Sequence, residues 1–282
     1  MQDTSTRLPA VSGRFYPSEK NKLAATIQEI YLLEKNKIDL SFAQKIIHGA
    51  VVPHAGYMFS AYQAIHFFEI LKNSNDKAET FVIINPNHTG YGEKMATESH
   101  RFWQTPFGKL EQDMEFRDEL NIPVSDIAHK NEHAGEVMLP LLQHFLNHQF
   151  KIVMITLSEQ NAKNAKLLAQ KIDAAAQKLH RKITIIASSD FTHFKHPKKS
   201  EVLDNMVLKE IENQNVENIE KTVRAHNISV CGFGPIMCLM EYSALQGNYQ
   251  SGILARGHSG QIMPSDEVVN YISIIFYKDN MG

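Results

Sequence analysis

Three apolar, β-branched runs of this chain each lead into a histidine. Val51-Val52-Pro53 runs into His54, Val82-Ile83-Ile84 into Asn85-Pro86-Asn87-His88, and Ile185-Ile186-Ala187 into Ser188-Ser189-Asp190-Phe191-Thr192-His193. Imidazole binds metals readily and exchanges protons near neutral pH. A fourth reactive group lies in Ser229-Val230-Cys231-Gly232-Phe233-Gly234-Pro235, where a thiol precedes an apolar helical run. A helix N-terminus favours negative charge, so this spacing predicts a thiol drawn toward thiolate. Cys238, two turns further on, reads as a small core residue.

Two imidazoles and a thiolate form a three-ligand set that leaves one position for water or substrate. Mixed nitrogen and sulfur donors suit iron(II), copper or zinc, and not magnesium or calcium. Asp190 and His193 lie three residues apart, so a tight turn can aim both into one crevice. His193 then serves as general acid or base, and Asp190 orients it or a ligand histidine. Metal-free thiol catalysis, with Cys231 as nucleophile and His193 as base, would use the same groups. The Ser188-Ser189 pair lacks the G-x-S-x-G setting of a hydrolase nucleophile. No HExxH, paired CxxC, Walker loop or GxGxxG motif is present.

These side chains meet only if the strands carrying them share an edge. Strands are predicted over Ile46–Pro53, Thr80–Pro86, Lys151–Leu157, Ile183–Ser188 and Val269–Tyr277. Their nearly continuous apolar character is that of strands covered on both faces. A helix capped by Ser18 is predicted from Leu23, Ile27, Ile30 and Tyr31, and further helices over Ala61–Lys72, Gly135–His148, Gln160–Leu179 and Pro235–Leu245. Phe102–Leu110 predicts a turn or short hairpin. The alternation predicts one three-layer α/β domain over residues 1–282, with a largely parallel sheet. Parallel strands would bring the three histidine turns to the carboxyl edge, where such sheets bind ligands.

Composition narrows the function classes. With 29 Lys+Arg against 31 Asp+Glu, there is no basic excess of the kind nucleic acid or an anionic membrane surface demands. No run approaches the roughly 18–20 apolar residues of a spanning helix, and the N-terminus has no secretory pattern. The two cysteines would stand roughly 10.5 Å apart on one helix, beyond the about 7 Å reach of a disulfide. Free thiols point to a reducing compartment, by default the cytoplasm.

From residue 13 to about 271, several motifs succeed one another in order. They are Gly13-Arg14-Phe15-Tyr16-Pro17, Pro53-His54-Ala55-Gly56-Tyr57, Asn87-His88, Glu132-His133 with Glu136 and Leu139-Pro140, Ser188-Ser189-Asp190-Phe191-Thr192-His193, and Cys231-Gly232 with Pro235-Ile236. In this order they resemble the Memo family, also described as AmmeMemoRadiSam system protein B. The resemblance implies a single domain similar to the class III extradiol dioxygenases, with a mixed sheet between helices. It implies that His54, His88 and Cys231 line a pocket for iron or reduced copper. His193 would match the dioxygenases' catalytic base with Asp190 beside it, and His133 and Glu136 would lie near the pocket.

The expected activity is a metal-dependent redox or oxygenase-like reaction on a small substrate. The alternative is an accessory protein acting with radical-SAM and AMMECR1-like partners. Two positions depart from the family pattern: Asn87 replaces a small residue, often Ser, and Asn270 replaces a glycine. A cysteine also stands where the dioxygenases have a carboxylate ligand. Thiolate is softer and readily oxidised, so dioxygenase activity does not follow from the fold.

Overall fold

In the computed structural model, whose described residues are 5–280, the strands are β1 Thr6–Arg7, β2 Ile46–Val52, β3 Thr80–Pro86, β4 Met95–Ala96, β5 Phe102–Thr105, β6 Gly108–Glu111, β7 Lys151–Leu157, β8 Ile183–Ser188, β9 His193–Lys195, β10 Gln250–His258 and β11 Val268–Lys278. The main sheet has the order β10-β11-β2-β8-β3-β7-β4, and β9 pairs with β11. Its centre, β2-β8-β3-β7, is parallel. The flanks are antiparallel, with β11 and β10 on one side and β4 on the other. The predicted α/β architecture with a mixed sheet is therefore present, its parallel part confined to the centre.

Side chains alternate across each central strand, and both faces are buried. Val51, Val82, Ile84, Val153, Ile155, Ile185 and Ala187 enter one core, beneath the helices Ala162–Lys178 and Phe233–Leu245. Ala50, Val52, Phe81, Ile83, Ile152, Met154 and Ile186 enter the other, beneath Lys20–Glu34 and Tyr57–Asn73. Two covered faces explain the unbroken apolar runs, and each buried large aliphatic contributes about 1.5–3 kcal/mol. No helix among the described residues is long and apolar enough to cross a membrane.

Several local expectations are corrected. Glu19, not Ser18, is the N-cap residue of the first helix, and it makes no side-chain cap bond. The helix expected over Gly135–His148 divides into a 3-10 turn, Glu136–Met138, and a helix, Leu139–Phe145. Pro140 has no N–H to bond the Glu136 carbonyl, so a continuous α ladder cannot run through. β10 carries little sequence signal because Gly252 and Gly257 interrupt it and most of its residues are partly exposed. Phe102–Leu110 is the expected hairpin, with β1 added in parallel to β5.

Gly232, the N-cap residue of the helix Phe233–Leu245, lies against the end of β8. A Cβ there would stand 2.3 Å from the Ser188 carbonyl oxygen and 2.6 Å from Ser189 Cβ. Gly232→Ala must displace the helix start, and Cys231 with it, or strain the backbone of β8. Overpacking of this kind costs about 1–3 kcal/mol, so thermal unfolding is expected roughly 2–5 °C below wild type. An unchanged melting temperature would show that the contact is relieved at little cost.

Candidate metal centre

Because β2, β8 and β3 are adjacent and parallel, their carboxyl ends open at one edge. His54 follows β2, His88 follows β3, and Ser189–His193 follow β8. His133 joins them from the turn before Glu136–Met138. Ring centroids are 5.1 Å apart for His54 and His88, 5.4 Å for His54 and His133, and 4.7 Å for His88 and His133. One ligand nitrogen from each ring lies within 4.8 Å of the others. His54 is buried, whereas the His133 and His88 side chains are 22% and 34% exposed, so the cluster opens to solvent on the His88 side.

Hydrogen bonds behind the rings decide which nitrogens face inward. Ser188 Oγ donates to the Ala134 carbonyl at 2.6 Å, which leaves a lone pair for His54 Nδ1, 2.8 Å away. His54 Nδ1 therefore carries the hydrogen and Nε2 keeps its lone pair. That Nε2 is 3.2 Å from Cys231 Sγ. Glu132 accepts the His88 Nδ1 hydrogen at 3.0 Å and lies 3.3 Å from His133 Nδ1. Burial, reinforced by the neighbouring imidazoles, holds His54 well below the usual histidine range. Burial likewise takes His133 down to about 4. Burial alone would raise Glu132, but the hydrogen bonds from His88 and from the Ala134 N–H hold it below the usual value. Neutral rings backed by an ionised carboxylate are the state that accepts a metal.

Asp190 sits beneath this cluster and accepts the His54 backbone N–H at 2.8 Å. Burial lifts its carboxyl to about 6 against the opposing pull of that bond. Asp190 supports His54, while His193 is held by Ser229. Its Nδ1 donates to the Ser229 carbonyl at 2.8 Å, and its backbone N–H donates to Ser229 Oγ at 2.8 Å. The proton-accepting Nε2 is thereby left uncommitted.

Cys231 is partly exposed and Cys238 is buried, and neither forms a disulfide. Burial, with the nearby Asp190 carboxylate, pushes the Cys231 thiol well above its ordinary value. In the metal-free chain this burial opposes the thiolate expected from the helix start. The helix-start N–H groups are committed elsewhere, Gly232 to Ser189 Oγ at 2.9 Å and Gly234 to Gln160 Oε1 at 2.7 Å, and Sγ accepts instead from the Asp190 N–H at 3.2 Å.

Glu136 stays out of the cluster. Its two oxygens are taken by Arg7, Tyr16 and the Ala10 and Val11 N–H groups, at 2.7–3.0 Å. It anchors the N-terminal segment, in which Phe15 packs on His133 with ring centroids 4.8 Å apart. Sequence reasoning gave no role to Glu132 beyond its place in a motif, and it read Ser188 only as a failed nucleophile. Their signal was their position, Glu132 beside a histidine and Ser188 at a strand end.

Residues 7–275 match the family described as Memo-like protein. A MEMO1 family protein of Methanobrevibacter smithii is 38% identical over 283 residues, covering 96% of this chain and 99% of that one. A second, from Methanosarcina barkeri, is 34% identical over 273 residues, covering 95% and 99%. The crystal structure of an uncharacterised Escherichia coli K12 protein, JW3007, superposes with a TM-score of 0.45 at 10% identity, covering 75% of this chain and 91% of that one.

Proposed function

Since this chain belongs to the Memo family, we propose that it holds iron(II) or reduced copper at the edge of its sheet and performs a redox or oxygenase-like reaction on a small substrate. The ligands are His54, His88 and Cys231, with His133 as the additional imidazole. The observation that carries this reading is the convergence of three imidazole rings whose Nδ1 atoms face partners behind them, beside a free thiol. Nitrogen and sulfur donors suit iron(II), copper and zinc far better than magnesium or calcium. A bound ion would supply electron transfer and Lewis acidity.

The remaining work falls to the chain's own groups. Ser188 and Asp190 hold His54, Glu132 holds His88, and the exposed flank of His88 leaves an approach for substrate. His193, its Nδ1 committed to Ser229, presents Nε2 to take or return a substrate proton. The family match over residues 7–275 supports reading the chain as one Memo-like domain. The two free thiols are in keeping with a cytoplasmic setting.

Anaerobic reconstitution with iron(II) or copper(I), then elemental analysis and an oxidation assay, tests the proposal. Wild type is expected to retain about one equivalent of metal, as a single open site would. Cys231→Ser is expected to lower metal affinity and oxidation activity together. Metal-free wild type after reconstitution would overturn the reading. Undiminished binding in Cys231→Ser would remove sulfur from the ligand set.

A further inference from the structure

We infer that Glu132 is the positioning residue that makes His88 and His133 a single ligand pair, an assignment that rests on the metal-binding reading above. Its side chain is 2% exposed, so water does not satisfy it. Oε2 accepts the His88 backbone N–H at 2.6 Å. Oε1 accepts His88 Nδ1 at 3.0 Å and the backbone N–H groups of His133 and Ala134 at 2.8 and 2.9 Å. His133 Nδ1 is 3.3 Å from the same oxygen. The four hydrogen-bonded neighbours are all donors, and an ionised carboxylate is a pure acceptor with room for about four such bonds. Its capacity is used behind the rings, so Glu132 orients ligands without being one.

The same short turn reaches the third ring. The Ala134 carbonyl accepts Ser188 Oγ, and Ser188 Oγ faces His54 Nδ1. Residues 132–134 thus stand behind the outer nitrogens of all three histidines. A neutral imidazole can carry its hydrogen on either nitrogen, and a hydrogen on Nε2 blocks that atom as a ligand. A carboxylate behind Nδ1 forbids this and makes the ring a stronger donor. Arg7 holds the turn from the other side, with Nη2 donating to the Glu132 and His129 carbonyls at 2.8 and 2.9 Å.

The test uses histidine nitrogen NMR on the metal-free full chain and zinc(II) titration against a chromophoric chelator. Zinc is redox-silent, so neither readout depends on activity. Wild type is expected to carry hydrogen on Nδ1 of His54, His88 and His133. Glu132→Gln keeps the shape, but its amide NH2 must face a donor. It is expected to weaken zinc binding roughly 10–100-fold and to move the His88 and His133 signals, while His54 keeps its Nδ1 hydrogen.

Zinc affinity within about twofold of wild type, a change far below that expected for an orienting partner, would overturn the assignment. So would a wild-type His88 carrying its hydrogen on Nε2, a result that needs no variant to fold. If wild type binds no metal under any condition, the metal-binding reading fails. The tautomer spectra then still decide whether Glu132 orients the rings.

Discussion

His54→Ala is expected to leave the anaerobically reconstituted protein almost free of iron or copper. Removing a group that merely orients a ligand costs roughly 10–100-fold in metal affinity, and removing a proposed ligand such as His54, whose backbone N–H and both ring nitrogens are engaged, should cost more. Its Nδ1 faces Ser188, its Nε2 faces Cys231, and its backbone N–H is held by Asp190. Alanine keeps the backbone bond to Asp190, and Ser188 keeps its bond to Ala134, so the strand end retains its support. The loss therefore falls on the ligand nitrogen and on the Cys231 partner. His226→Ala, at the exposed C-cap of the helix Val216–Ala225, is the matched control and is expected to keep its metal. Elemental analysis after removal of loose metal decides the matter. A full equivalent retained by His54→Ala would place the ion elsewhere.

The largest stability effect is expected at Arg7. Its side chain is 4% exposed, and the Glu136 side chain it meets at 2.7 Å is 0% exposed. Arg7 also donates to the His129 and Glu132 carbonyls and stacks 3.9 Å over the Trp103 ring. Arg7→Met leaves a carboxylate buried without its cation and strands two carbonyls. Breaking a buried pair in this way costs about 3–5 kcal/mol, which at this chain length lowers the melting temperature by about 5–8 °C.

Apolar replacement of both partners of a buried pair often restores stability. Here Arg7→Met with Glu136→Leu is not expected to do so. Glu136 also accepts from Tyr16 and from the Ala10 and Val11 N–H groups, and these would lose their acceptor. Thermal and urea unfolding of the single and double variants checks this. A double variant as stable as wild type would show that the pair stands alone. The turn carrying Glu132 and His133 rests on Arg7, so Arg7→Met should also weaken metal binding.

The sequence by itself determined the central strands and the reactive residues at their carboxyl ends. Runs such as Thr80–Pro86 and Ile183–Ser188 are legible because both faces of the strand are buried and nearly every position is apolar. Parallel connection by helices then forces the turns bearing His54, His88 and Asp190–His193 to one edge, which local pattern and handedness suffice to predict. Strand order, the antiparallel flanks and the role of Glu132 were not legible.

His133 reaches the site only because Arg7, remote in sequence, clamps its turn through Glu136 and the Glu132 carbonyl beneath the N-terminal segment. Nothing in the spacing around residue 133 encodes that contact. Protonation was decided the same way. The helix start before Phe233 argues for a thiolate at Cys231, yet burial beside Asp190 raises the thiol instead. Spacing along the chain sets which elements form and which residues their ends carry. Which rings meet, and which nitrogens and sulfur hold protons, depends on desolvation and on donors brought in from distant segments, and those exist only once the chain is packed.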